Sequence, residues 1–252
     1  ELVKQAAAAD YYDIEINQYY CNSDSVTNYS SSHAEDNFGI FYNTYGEFKP
    51  SAYTISAFAS ETVGAIFCGK ILFEDKDIQC YSYLRDNELS CIIWSKSGNK
   101  SISFEGEILN ASDMNGNSIG SGSEFEIGEA PIYLHGLSEK WIVNSLAENI
   151  QNYISLYIQS SAFDESRNSK GFAKAAQLLL SGAERAKALS QNEDLSAQDI
   201  FSALVNHYKI GIEIINMKQC GELEISDAQL SGMTFVNHWG GILLGNLYIL
   251  MS

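Results

Sequence analysis

Proline is almost missing from this chain, with two residues in 252. At 19% charged residues, that scarcity argues against a collagen-like or disordered polypeptide. Basic side chains are also few, 15 against 32 acids, for a formal net charge of −17. Such a surface repels phosphate backbones and anionic lipid, so no nucleic-acid partner is expected. The five cysteines (Cys21, Cys68, Cys80, Cys91 and Cys220) contain no CxxC pair and no Cys/His ligand spacing. No metal and no other cofactor is therefore expected. Cys68, Cys80 and Cys91 lie inside apolar runs and read as buried free thiols. No membrane span is expected either. Residues 234–251 come nearest, but they include Asn237, His238, Asn246 and three glycines, which suits a buried helix better. The opening ELVKQAAAAD has neither a methionine nor a basic leader before an apolar core, which reads as the start of a processed or truncated product.

What is present is organised around residues 37–57, NFGIFYNTYGEFKPSAYTISA. The apolar and aromatic start suits an extended segment, and Gly46 supplies a turn. Pro50 biases Lys49 toward extended geometry and itself fits the first position of a helix. Ala52, Ile55, Ala57, Phe58 and Val63 give that helix an apolar face. Before this hinge, residues 1–9 read as the tail of a helix. Residues 10–20 alternate as a strand, with Tyr12, Ile14 and Ile16 on one face.

After the hinge the pattern changes to short strands separated by polar or glycine-bearing turns. The candidates span 65–74, 78–84, 89–95, 101–109, 123–127 and 131–135. Such spacing predicts an antiparallel β-sandwich, with Trp94, Phe104, Phe125, Ile127, Ile132 and Leu134 facing inward. Beyond Gly136 the period becomes helical. Ser138 is placed to cap a helix to about 159, and Phe172, Ala176, Leu179, Ala183 and Ala186 mark a second. Ser196 and Asp199 approximate a capping box for a third, and Ser226 and Asp227 open a fourth. Four such helices with short connections predict an antiparallel bundle.

Three stretches carry a resemblance. The first joins Phe38-Gly39-Ile40, Lys49-Pro50-Ser51-Ala52-Tyr53 and Ala57-Phe58. The second is Cys91-Ile92-Ile93-Trp94-Ser95, and the third is Asp113-Met114-Asn115-Gly116-Asn117 followed by Phe125-Glu126-Ile127 and Pro131-Ile132-Tyr133-Leu134. Together they resemble the end of the barrel and the accessory sandwich of retaining (β/α)8 glycoside hydrolases. The likeness covers a little over half the chain and stops at Gly136. It implies a mixed α and β fold: residues 1–63 the last strand and helix of a (β/α)8 barrel, 64–136 an antiparallel β-sandwich, and 137–252 an α-helical bundle of no recognised family.

In that family two carboxylates about 5 Å apart perform the chemistry. They sit on the fourth and seventh barrel strands, so the resemblance places both before Glu1. No catalytic residue is expected in this chain, which would be inactive alone. The expected partners are carbohydrate and the upstream barrel segment. Tyr12, Glu15 and Glu35 are the candidate substrate contacts at the barrel mouth, with an exposed strand carboxylate as the alternative for Glu15. His33 has no evident partner for catalysis, and His207 and His238 read as core or surface histidines. The bundle is expected to mediate homo-oligomer formation, or else to bury its last helix among its own neighbours. A non-catalytic carbohydrate-binding or assembly protein is the rival reading.

Overall fold

In the computed structural model, which describes residues 1–12 and 48–252, the alanine-rich opening forms helix α1 (Leu2–Tyr11). Residues 6–9 are all alanine, and neither glycine nor proline follows to stop the helix. The strand expected over 10–20 therefore does not begin at Asp10, and its remainder lies outside the described residues. Helix α2 (Pro50–Thr62) starts where the Lys-Pro step places it: Lys49 is extended at φ −76°, ψ 161°, and Pro50 takes the first helical position. Of its expected apolar face only Ala57 is buried. Val63 is instead the extended C-cap and is 73% exposed.

Six antiparallel strands follow: β1 (Ile66–Ile71), β2 (Ile78–Arg85), β3 (Glu88–Ser95), β4 (Lys100–Asp113), β5 (Ser118–Ile127) and β6 (Ile132–His135). They form one sheet in the order β1-β2-β3-β6-β4-β5. The β2–β3 hairpin closes on Asp86 and Asn87, both with positive φ, the geometry that a two-residue turn needs to match strand twist. Strands β4 and β5 run longer than the alternation suggests. Register shifts between Ser103 and Ser112 break their period, which hides continuous pairing from a pattern of two.

Registers correct the inward-facing set. Ile93 opposes Ile132 and Cys91 opposes Leu134, whereas Ile92 opposes Tyr133. Successive strand residues point to opposite faces, so Trp94 shares its face with Ile92 and Tyr133, not with Ile132 and Leu134. Both sets are buried. Covering both faces explains the unbroken apolar run Cys91-Ile92-Ile93-Trp94, since alternation is expected only where one face meets water. Phe104, Ile127, Ile132 and Leu134 are buried, and Phe125 is half-buried against Phe104 with ring centroids 6.2 Å apart.

Four helices complete the chain: α3 (Lys140–Ile158), α4 (Phe172–Ser190), α5 (Ala197–Gln219) and α6 (Asp227–Leu250). Helix α3 packs on α4 and α6, and α5 packs on the same two. Ile142, Leu146, Ile150 and Ile154 line the buried face of α3. Ser138 does not cap α3. The N-cap is Glu139, with no side-chain bond, although the Ser138 hydroxyl accepts from the Lys140 amide at 3.4 Å. The capping box of Ser196 and Asp199 forms in full, and Ser226 makes a second one with Gln229.

The fold is thus mixed α and β with an antiparallel sheet. It divides into two compact units, one of Glu1–Phe67 and Leu72–Leu137, the other of Cys68–Ile71 and Ser138–Ser252. Among the described residues Cys68, Cys80 and Cys91 are buried, Cys220 is exposed, and no helix is long and apolar enough to cross a membrane.

Candidate functional site

Two places in the first unit gather polar and aromatic side chains from separate elements. One lies where α2 meets the β4–β5 turn. Asp113 organises that turn: its carboxylate accepts from the backbone amides of Asn115 and Asn117 at 2.8 and 2.9 Å and from the Asn117 side chain at 2.9 Å. Partial burial pushes the Asp113 carboxyl up, but these bonds outweigh it and hold the group below the usual carboxylate range. Gly116 turns the chain at φ +84°, and a Cβ there would lie 3.5 Å from Ala57 Cβ. Thr54 fastens the joint, its hydroxyl donating to Asn115 Oδ1 at 2.9 Å.

A cavity of about 410 Å³ opens beside this joint, lined by Phe48, Pro50, Tyr53, Asn115 and Asn117. Phe48 and Tyr53 are 57% and 58% exposed, with ring centroids 5.9 Å apart. Two aromatic faces beside two amides form an amphipathic surface: the rings offer apolar contact, the amides offer donors and acceptors to hydroxyl groups.

The other place centres on His135 at the end of β6. Its Nε2 lies 3.2 Å from Glu61 of α2, and its Nδ1 lies 3.3 Å from Glu88 of β3. Arg85, Asp86 and Ser90 complete the lining of a cavity of about 110 Å³, room for only a few waters. The hydrogen bond with Glu61 holds the His135 pKa above its ordinary value, against the opposing effect of burial. Both ring nitrogens face carboxylates, which favours the imidazolium and occupies the two positions through which His135 would act as a general base. Among the described residues no group of three His, Cys, Asp or Glu side chains is arranged to hold a metal ion.

Apart from these two cavities, a polar pair joins α1 to β2. Tyr83 donates to Asp10 at 2.7 Å, and burial raises the pKa of both groups. Nearby, Tyr81 stacks on Trp94 with centroids 5.4 Å apart and is pushed up to about 12 by burial.

Of the expected substrate contacts, Tyr12 is the C-cap of α1, about half exposed and edge-on to Tyr11 at 5.0 Å. Glu15 and Glu35, like His33, lie outside the described residues. Tyr53, Asn115 and Asn117 stand in the motifs already quoted, but nothing in a linear pattern marks them as neighbours. His207 is buried within the second unit and His238 is exposed. No known protein family matches the chain, and neither does any curated protein or solved structure.

Proposed function

We propose that this chain is the C-terminal portion of a retaining (β/α)8 glycoside hydrolase: the end of the barrel, an accessory β-sandwich, and an appended helical bundle. In this reading it completes a carbohydrate-active barrel whose catalytic carboxylates belong to the upstream segment, and it does not turn over substrate alone. The observation that supports it is the meeting of two resembling segments distant in sequence. Thr54, from the hinge helix, donates to Asn115, from the sandwich phrase, and Ala57 lies where a Cβ at Gly116 would meet it. The contact with sugar is assigned to the cavity beside that joint, where Phe48 and Tyr53 stack on pyranose faces and Asn115 and Asn117 meet hydroxyls. Tyr12, Glu15 and Glu35 belong to the barrel mouth on the same reading.

The four helices serve association between copies of the chain. Exposed Phe201, Val205, Tyr208 and Ile212 recur on α5 at helical spacing, which suits a second copy. Mass by light scattering should therefore rise with concentration, and a monomer at every concentration would rule this role out.

A second reading, a non-catalytic carbohydrate-binding protein, is favoured by the same aromatic and amide cavity, because that surface needs no catalytic pair. Assaying residues 1–252 on aryl glycosides, alone and then with the upstream segment, separates the two. Hydrolysis only in the joined form is expected. Robust turnover by the chain alone would contradict the fragment assignment, and inactivity in both forms with retained sugar binding would favour the binding protein.

A further inference from the structure

Helix α2 ends against its own dipole. Glu61 lies in its last turn, which holds no basic residue, yet the carbonyls there already make that end negative. The sheet supplies the missing cations. Arg85, at the end of β2, donates to the Ser60 carbonyl, and His135 of β6 meets the Glu61 carboxylate.

The geometry around His135 asks for two protons. Nε2 faces Glu61 and Nδ1 faces Glu88, and neither carboxylate can donate while ionised. A neutral imidazole carries one N–H and serves one of them; only the imidazolium serves both. We propose that His135 is a proton-operated latch: its imidazolium fastens the C-terminal turn of α2, through Glu61, to β3 and β6, and its deprotonation releases that turn.

The surrounding charges agree. His135 is faced by Glu61 from α2, Glu88 from β3, Arg85 from β2 and Asp86 from the turn, three acids against one guanidinium. From β4 the opposed residue is the uncharged Asn110. Tyr133, on the same face of β6, stays neutral because burial, Glu61 and Asp113 all raise its pKa. Since the His135 pKa is raised, the fastening is complete below the ordinary histidine value and is lost as pH rises through the raised one. The helix so held carries Pro50 and Tyr53 of the cavity, so release of its end makes that surface pH-sensitive. This consequence rests on the carbohydrate reading; the latch does not.

Hydrogen exchange of the α2 amides in the full chain, corrected for intrinsic rate and followed from about pH 5 to about pH 8, reads the latch directly. In the parent, protection of the last turn should fall with rising pH, by about tenfold in the opening equilibrium for each unit by which His135 is raised. In Glu61→Gln and His135→Gln that dependence should vanish. Glu88→Gln, at a half-exposed position, should fold even if the others do not, and should move the midpoint to lower pH. Flat protection in the parent, or an unchanged midpoint in Glu88→Gln, would overturn the latch. Loss of sugar binding would leave these results untouched, so the two proposals fail separately.

Discussion

The first unit holds a half-buried histidine and the second a fully buried one, and the two are built in opposite ways. His135 stands at the end of the interior strand β6 between two carboxylates, which favour its charged form. His207 is 1% exposed, and its Nε2 lies 2.7 Å from the Asn237 carbonyl, so that nitrogen carries the proton. Its Nδ1 has no hydrogen-bond partner. Burial lowers the His207 pKa, and nearby Arg185 adds to the effect. The same side chain is therefore stabilising as a cation in one unit and as a neutral ring in the other. The neighbours decide, not the residue type.

Glycine makes the second arrangement possible. A Cβ at Gly182 would lie 2.6 Å from His207 Nδ1, and one at Gly240 would lie 2.7 Å from Nε2. The ring is held between α4 and α6, where a side chain at either glycine would collide with it. Gly241 is similarly close to Tyr208, whereas a Cβ at Gly245 would meet nothing within 4 Å. Gly232 is closer still, since a Cβ there would overlap the Tyr157 hydroxyl, so three of the four glycines of α6 serve helix approach inside the chain.

The largest expected effect contrasts the two cores. Trp94 stacks on Tyr81 in the first unit, and Trp239 stacks on Tyr153 at 4.0 Å in the second. Trp94→Ala should cost about 3–5 kcal/mol, seen as a lower unfolding transition of the sheet unit. A transition equal to the parent's would mean that this stack contributes little. Next, Gly182→Ala should cost about 1–3 kcal/mol by pushing on a ring that has no room to move, and the loss should fall on the helical unit. Ser226→Ala should cost about 1 kcal/mol through the lost cap of α6.

The pH responses follow from the directions of the two shifts. For His207 the folded pKa is lowered, so the helical unit keeps its full stability above the ordinary histidine value and loses it as pH falls through the lowered one. For His135 the sign is reversed. Thermal unfolding followed from about pH 5 to about pH 8 should show helical signal gaining stability as pH rises, while the His135 contribution to the sheet unit declines. Parallel responses of both units would break the comparison.

Much of the secondary structure was legible because its signals are local. The Lys-Pro step starts α2, and Ser196 with Asp199 starts α5. Six short strands follow from apolar runs between turns. What escaped was tertiary. The run from Cys91 to Trp94 gives no period, so its two faces cannot be told apart until register places Ile93 against Ile132. The alternation after Asp10 reads as a strand, yet the alanines before it carry the helix through Tyr11, and Asp10 is then held by Tyr83. The site was less legible still. His135 stands at the end of a short strand with no partner in its own neighbourhood, and its two carboxylates come from a helix and another hairpin. Tyr53 and Asn117 each sit within a recognisable phrase, but only folding brings those phrases to one cavity.

The most direct test is a titration of the histidine Cε1 protons by NMR in the intact chain, with His135→Gln and His207→Gln identifying the two signals. His135 should titrate above the ordinary histidine value of about 6.5 and His207 below it, with Glu61→Gln moving His135 down and leaving His207 in place. Two midpoints on the same side of that value would contradict the account.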